Sequence, residues 1–166
     1  LYPQYADSTC TTTVARVRQL TENTMALTVL PPFYDRSDYV AAQAALIREH
    51  LPESWDHLLL SYHGLPERHL TRADPTGNHC LQRPDCCATP SLAHATCYRH
   101  QCLETTASLA QALLLSGDQY TTSFQSRLGR LPWLTPYTDQ VLKDLPGKGV
   151  NDLVVACPAL VADNLE

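Results

Sequence analysis

Residues 58–64 read LLLSYHG, an apolar run that stops on Ser61, Tyr62, His63 and Gly64. A short, bulky apolar run closed by glycine describes a buried strand emptying into a turn. The last side chains of such a strand stand at the open edge of its sheet. In parallel α/β sheets that carboxyl edge is where ligands bind. The sequence therefore asks whether His63 is a core histidine or a reactive one, and the stretch by itself leaves both readings open.

Working outward, the hydrophobic period switches repeatedly between helix-like and strand-like. Residues 9–20 read as a helix capped by Ser8 or Asp7, with Val14, Val17 and Leu20 on one face. Residues 25–30 read as a short strand ended by Pro31 and Pro32, and 37–50 as a helix closed by Pro52. That helix carries Tyr39/Val40, Gln43/Ala44 and Leu46/Ile47 at core spacing. After the strand at 57–62, residues 67–101 hold Pro75, Gly77, Pro84 and Pro90 and sustain no period. A stretch of about 30 residues without an element marks a functional insertion or a disordered one.

Residues 103–115 then read as a helix burying Leu103, Thr106/Ala107, Ala110 and Leu113/Leu114, with Gly117 as its cap. A strand at 120–124 and a helix at 136–145 follow. The run DLVVACP, residues 152–158, is continuously apolar and so expected to be a strand buried on both faces, with Cys157 as a small core residue. Alternating strand and helix argue for an α/β fold, a Rossmann-like parallel sheet flanked by helices and interrupted by a Cys-rich insert loop at about 72–102.

Composition narrows the function classes. The chain has 166 residues, 44% of them hydrophobic and 17% charged, enough for one domain with a real core. A formal charge of −5 supplies no basic field for nucleic acid. No apolar run reaches the roughly 18–20 residues of a membrane span. The opening LYPQYADSTC and the ending VADNLE read as if cut from mid-structure, so a piece of a larger protein is expected. Five of the 7 cysteines, Cys80, Cys86, Cys87, Cys97 and Cys102, are crowded into one segment, an odd number that suits metal ligation better than a disulfide framework.

Several strand ends deliver polar or aromatic residues to one edge: YPQY at 2–5, SYHG at 61–64, SFQSRLGRLPWL at 123–134 and PALVADNLE at 158–166. Their convergence would make a pocket containing Tyr2, His63, Gln125, Ser126, Trp133 and Glu166. An imidazole facing a carboxylate across an apolar cleft can hold a divalent metal or pass protons.

Taken in order, YPQY, LLSYHGLPER, SFQSRLGRLPWLTPYTDQVLKDL and VADNLE closely resemble the ferrochelatase family, enzymes that insert ferrous iron into a porphyrin to make haem. The resemblance implies a chelatase-like fold of two related α/β lobes with the porphyrin between them. Residues 1–166 would be the end of the first lobe and most of the second, and this piece alone is expected to be inactive. By the same resemblance His63 abstracts protons or delivers metal, and Glu166 faces it; Asn164 stands where many relatives carry a second histidine. Tyr2 and Trp133 match aromatics near the macrocycle, and Gln125, Ser126 and Arg127 match pocket-lining positions. Tyr62, from the same SYHG turn, joins the expected substrate-binding set.

Arg127 and Arg130 would pair with propionates or be solvated. His69, His79, His94 and His100 read as loop surface. The resemblance also implies Fe²⁺ and protoporphyrin as substrates and a cytoplasmic location, with peripheral contact at the inner membrane suited to a lipophilic substrate. Alternatives are a cluster-binding sensor on the same fold, or a chelatase for another tetrapyrrole such as coproporphyrin.

The insert spaces its cysteines C-x5-C-C-x9-C-x4-C, unlike the recurring C-x2-C of a zinc ribbon. Thiolates from a Pro-rich loop suit an iron–sulfur cluster, and some ferrochelatases resembling this chain carry a [2Fe–2S] cluster. Cys80, Cys87, Cys97 and Cys102 are the expected ligands, with Cys86 able to replace Cys87. Zinc and free thiols are the competing readings.

Overall fold

The computed structural model describes residues 2–161. Its centre is a three-stranded parallel sheet in the order β2-β1-β3, with β1 at His57–His63, β2 at Tyr120–Gln125 and β3 at Leu153–Ala156. Leu58 pairs with Tyr120 on one side and Val154 on the other, and His63 ends opposite Gln125. The apolar run that opened the sequence reading is thus the central strand. Leu58, Leu59 and Leu60 are each 0% exposed, and enclosing each contributes about 1.5–3 kcal/mol.

Strand alternation sends these residues into two layers. Leu58, Leu60 and Tyr62 join the larger core, which includes Val40, Ala44 and Ile47 of α2 (Ser37–His50) and Cys102 and Leu109 of α4 (Tyr98–Leu113). Leu59 faces the opposite layer, against Val141 of α5 (Thr138–Asp144) and Leu145. Helix α2 falls where its i, i+4, i+7 spacing put it. The parallel sheet covered by helices on both faces agrees with the α/β class read from the sequence.

Four expectations change. Residues 25–30 form no strand and are exposed, because β1 already has both neighbours and neither sheet edge takes this segment. The helix expected at 9–20 is a π-helical turn, Ser8–Thr13, continued by α1 at Val14–Thr21; it buries no residue, and Leu20 is 62% exposed. Strand β3 is a sheet edge among the described residues, and Cys157, just past its end, is exposed rather than a core residue. Helix α4 starts at Tyr98, which rotates its buried face to Tyr98, Gln101/Cys102, Thr105/Thr106 and Leu109/Ala110. It ends on Leu114 in the left-handed region (φ 59°), not at Gly117.

The segment expected to lack elements contains α3 (Glu67–Ala73) and a 3₁₀ turn at Leu92–Ala95. Asp74 organises what lies between them. Its carboxylate accepts from the backbone N–H groups of Thr76, His79 and Cys80, each at 2.8 Å, and from the Thr76 hydroxyl at 2.7 Å. A local hydrogen-bond anchor of this kind replaces hydrophobic content as the ordering force.

Candidate active site

His63 is the last residue of β1, at the carboxyl edge of the sheet where the chain must turn. Gly64 makes that turn possible: its N–H donates to the Gln125 carbonyl at 2.8 Å. The chain then runs alongside residues 132–134. Glu67 N–H donates to the Pro132 carbonyl at 3.0 Å and Leu134 N–H to the Leu65 carbonyl at 3.0 Å. This pairing sets Trp133 beside His63, with ring centroids 6.5 Å apart. The Trp133 indole N–H donates to the Leu128 carbonyl at 2.9 Å, which fixes the indole against its own loop.

Tyr2 lies against the imidazole at 5.6 Å between centroids. Beyond Tyr2 opens a hollow of about 340 Å³, lined mainly by apolar groups that include Val14, Val17, Leu27, Leu30 and Phe33. The structure thus brings His63, Tyr2 and Trp133 together, a half-buried imidazole between two aromatic rings, with Tyr2 alone of the three lining the apolar hollow.

The other expected site residues have different surroundings. Gln125, the register partner of His63, accepts from Ser61 Oγ at 2.8 Å, within a row of hydroxyls in which Thr138 bonds both Ser61 and Ser123. Ser126 takes up a left-handed conformation (φ 67°) and opens an exposed loop. Arg127 lies 4.4 Å over the Tyr137 ring. Tyr62 is corrected from substrate contact to core: it is 0% exposed, and its hydroxyl bonds Thr106 at 3.0 Å. Strand alternation explains this, since neighbouring residues 62 and 63 must face opposite ways. Glu166, and Asn164 with it, lie outside the described residues.

The sequence reading missed what holds the aromatic site in place. The Tyr98 hydroxyl donates to the His63 carbonyl at 2.7 Å, and its ring meets Tyr2 edge-on at 5.9 Å. Gln101, fully buried one turn on, accepts from Tyr5 N–H at 2.6 Å and donates to the carbonyls of His94 and Ala95. Gln4 donates to Thr105 at 3.0 Å. The signal was available: Cys97 caps α4 by accepting the His100 N–H at its sulfur, and a helix begun there puts Tyr98, Gln101 and Thr105 on one face.

The Cys-rich segment gathers thiols in pairs. The thiols of Cys80 and Cys87 lie near that of Cys97, and Cys87 also lies near Cys86. Arg99 Nη1 lies 3.9 Å from Cys86 Sγ and 3.7 Å from Cys87 Sγ. Cys102 is different: it is 0% exposed in the core, where burial pushes its thiol well up. The neighbouring Cys97 thiol, then burial, pushes the Cys87 thiol well above its usual range. Among the described residues no three or more His, Cys, Asp or Glu side chains are grouped so as to hold a metal ion.

Three of the histidines read as loop surface are instead half-buried and stacked: His94 and His100 at 3.6 Å between centroids, His79 edge-on to His94 at 5.4 Å. His79 and His94 both bond the Cys86 carbonyl, and His100 the Cys87 carbonyl.

No helix among the described residues is long and apolar enough to cross a membrane.

A parallel α/β unit with an imidazole at the carboxyl edge of its central strand belongs to the broad class that binds ligands at the strand ends. Comparison with known proteins narrows the class. The family model described as Ferrochelatase matches residues 1–166, and the chain belongs to the ferrochelatase family. It is 51% identical over 170 residues to the ferrochelatase of Pseudomonas fluorescens (strain Pf0-1), covering 100% of this chain and 50% of that protein. The ferrochelatases of Pseudomonas syringae pv. syringae (strain B728a) and Azotobacter vinelandii (strain DJ / ATCC BAA-1303) are 49% and 48% identical, with the same 100% and 50% coverage. The chain spans about half the length of these curated relatives.

Proposed function

We propose that the whole protein inserts Fe²⁺ into protoporphyrin in haem biosynthesis, and that residues 1–166 supply the lobe carrying the reactive histidine together with the end of the other lobe. The observation that carries this reading is the setting of His63, half-buried at the strand end between Tyr2 and Trp133, with Tyr2 also lining an apolar hollow. Metallation must remove two pyrrole N–H protons and strip water from the ion where solvent is excluded. A neutral imidazole suits the proton-accepting role. The Tyr2 and Trp133 rings offer flat walls for a tetrapyrrole, and walls that favour a bent macrocycle would stabilise the transition state over the substrate. Ser126 and Gln125 would line the rim, and Glu166 would supply the facing carboxylate that offsets the charge of the incoming ion.

The Cys-rich segment serves this site as a brace. A [2Fe–2S] cluster, suggested by the resemblance to cluster-bearing relatives, would take four thiolates from among Cys80, Cys86, Cys87, Cys97 and Cys102; the described residues hold no ready-made group of three or more such side chains, so ligation would have to draw the thiols together. Iron and acid-labile sulfide counts on purified protein test this, with zinc or bare thiols as the opposing results. The family points to a cytoplasmic enzyme, and a lipophilic product and substrate suit contact with the inner membrane surface.

The function is tested by incubating the full-length protein anaerobically with Fe²⁺ and protoporphyrin. Haem formation, read from its Soret absorption, is expected. Absence of turnover, or turnover with coproporphyrin only, overturns the protoporphyrin assignment.

A further inference from the structure

Helix α4 begins at Tyr98, and everything around its first turn joins the Cys-rich segment to the histidine. On one side, Cys97 caps the helix by accepting the His100 N–H at its sulfur at 3.4 Å, with the thiols of Cys80 and Cys87 close by. On the other, the very next residue, 1% exposed, donates its hydroxyl to the His63 carbonyl and packs its ring edge against Tyr2. One buried side chain therefore touches both the backbone of the imidazole residue and the aromatic ring that flanks the imidazole. A second contact runs in parallel. Gln101 ties the backbone of Tyr5, in the segment that bears Tyr2, to the carbonyls of His94 and Ala95 within the insert. A shift of the helix start therefore bears on the end of β1 and on the Tyr2 ring together, since close-packed contacts transmit displacement.

We propose that Tyr98 is a positioning residue for His63, and that it transmits to the site whether the Cys97 thiol remains engaged with its partners. This rests on the reading of His63 as the reactive imidazole. The Cys-rich segment then sets the rate of metal insertion without touching substrate: when Cys97 is held, the Tyr98 hydroxyl holds the end of β1 in the geometry that presents the imidazole. When Cys97 is released, the first turn of α4 loosens and His63 drifts. Misplacement of a reacting group by about an ångström costs on the order of 100-fold in rate, so partial loosening should read as a decline of about tenfold.

The test uses the full-length protein with Fe²⁺ and protoporphyrin. Tyr98→Phe keeps the ring and removes only the hydroxyl. The expected result is a fall in kcat of about tenfold with KM for the porphyrin within about twofold. Cys97→Ala is expected to fall similarly, and the double variant to fall no further than the lower of the two, because both act through one chain of contacts. Hydrogen exchange of the peptide spanning 57–64 gives a second readout independent of turnover: both variants should exchange faster there than wild type. A Tyr98→Phe variant with wild-type kcat, losses that multiply in the double variant, or unchanged exchange in that peptide each overturn the proposal. If His63→Ala itself retains turnover, the functional reading fails; if it abolishes turnover while Tyr98→Phe has no effect, this inference alone fails.

Discussion

The N–H of Gly64 donates to the carbonyl oxygen of Gln125 at 2.8 Å, and a Cβ built on Gly64 would stand 2.7 Å from that same oxygen. The hydrogen bond and the missing side chain are one device: the chain can leave β1 close against β2 only if residue 64 has no Cβ. Backbone cannot yield as a flexible side chain can, and Trp133 Cε3, at 3.3 Å, closes the other escape.

Gly64→Ala should therefore destabilise the protein by about 1–3 kcal/mol, the usual cost of overpacking, and disturb the Trp133 contact beside His63. Denaturant titration checks the first expectation, and tryptophan fluorescence the second. Gly117→Ala is the control: nothing lies within 4 Å of the point a methyl group would occupy there, so a change within about 0.5 kcal/mol is expected. Equal effects at the two glycines would contradict the close-approach argument.

Tyr2 and Tyr62 should part company when each is altered. Tyr62→Phe removes the hydroxyl bonded to Thr106 inside the core, at a cost of about 1 kcal/mol in stability, with KM for porphyrin unchanged. Tyr2→Ala removes a ring that packs on His63 and borders the apolar hollow, and should raise that KM severalfold. Steady-state kinetics beside thermal denaturation separates the two; a KM effect at Tyr62 would return it to the substrate-binding set.

Acid should weaken the fold in two windows. Burial, aided by Lys148, holds the His57 imidazole below its ordinary 6.5. The unfolded chain therefore takes up the proton first, and the stability contributed by neutral His57 is full above about pH 6.5 and lost as pH falls through that value. Asp74 acts lower. Burial alone would raise its pKa, but the donors from Cys80, Thr76 and His79 outweigh it and hold the carboxyl well below 3.8. Its contribution is present above that value and lost as pH falls beneath it. Urea midpoints should drop between about pH 7 and 5, and His57→Gln should flatten that drop. An unaltered slope in the variant would dismiss His57 as its source.

Asp74→Ala removes the one acceptor shared by four donors at the start of the Cys-rich segment. Thermolysin should then cut between residues 75 and 92 much faster, while strand content read by circular dichroism stays the same. Equal digestion of variant and wild type would mean that the segment is ordered by something other than this carboxylate.

How much of this was legible in the sequence depends on what each element leans on. Helix α2 and strands β1 and β2 were readable because their apolar spacing meets a partner close by in the fold. Residues 25–30 and DLVVACP misled because a hydrophobic run states that it will be covered, not by what; one lies as exposed coil and the other forms an edge strand. His63, Tyr2 and Trp133, which the structure places together, were singled out through motifs. Tyr98, Gln101 and Thr105 were not, because polar residues that face inward carry no hydrophobic signal, and starting α4 at 103 turned its face away from them. Tyr62 was misassigned by adjacency, which in a strand reverses direction at each residue.

The most direct measurement is the rate of Fe²⁺ insertion by full-length His63→Ala, with porphyrin binding followed in parallel by fluorescence quenching. The account predicts a loss of more than about 100-fold in kcat, in the range expected on removing a positioned proton acceptor, with porphyrin still bound. A variant that binds porphyrin and turns over within about twofold of wild type would contradict it.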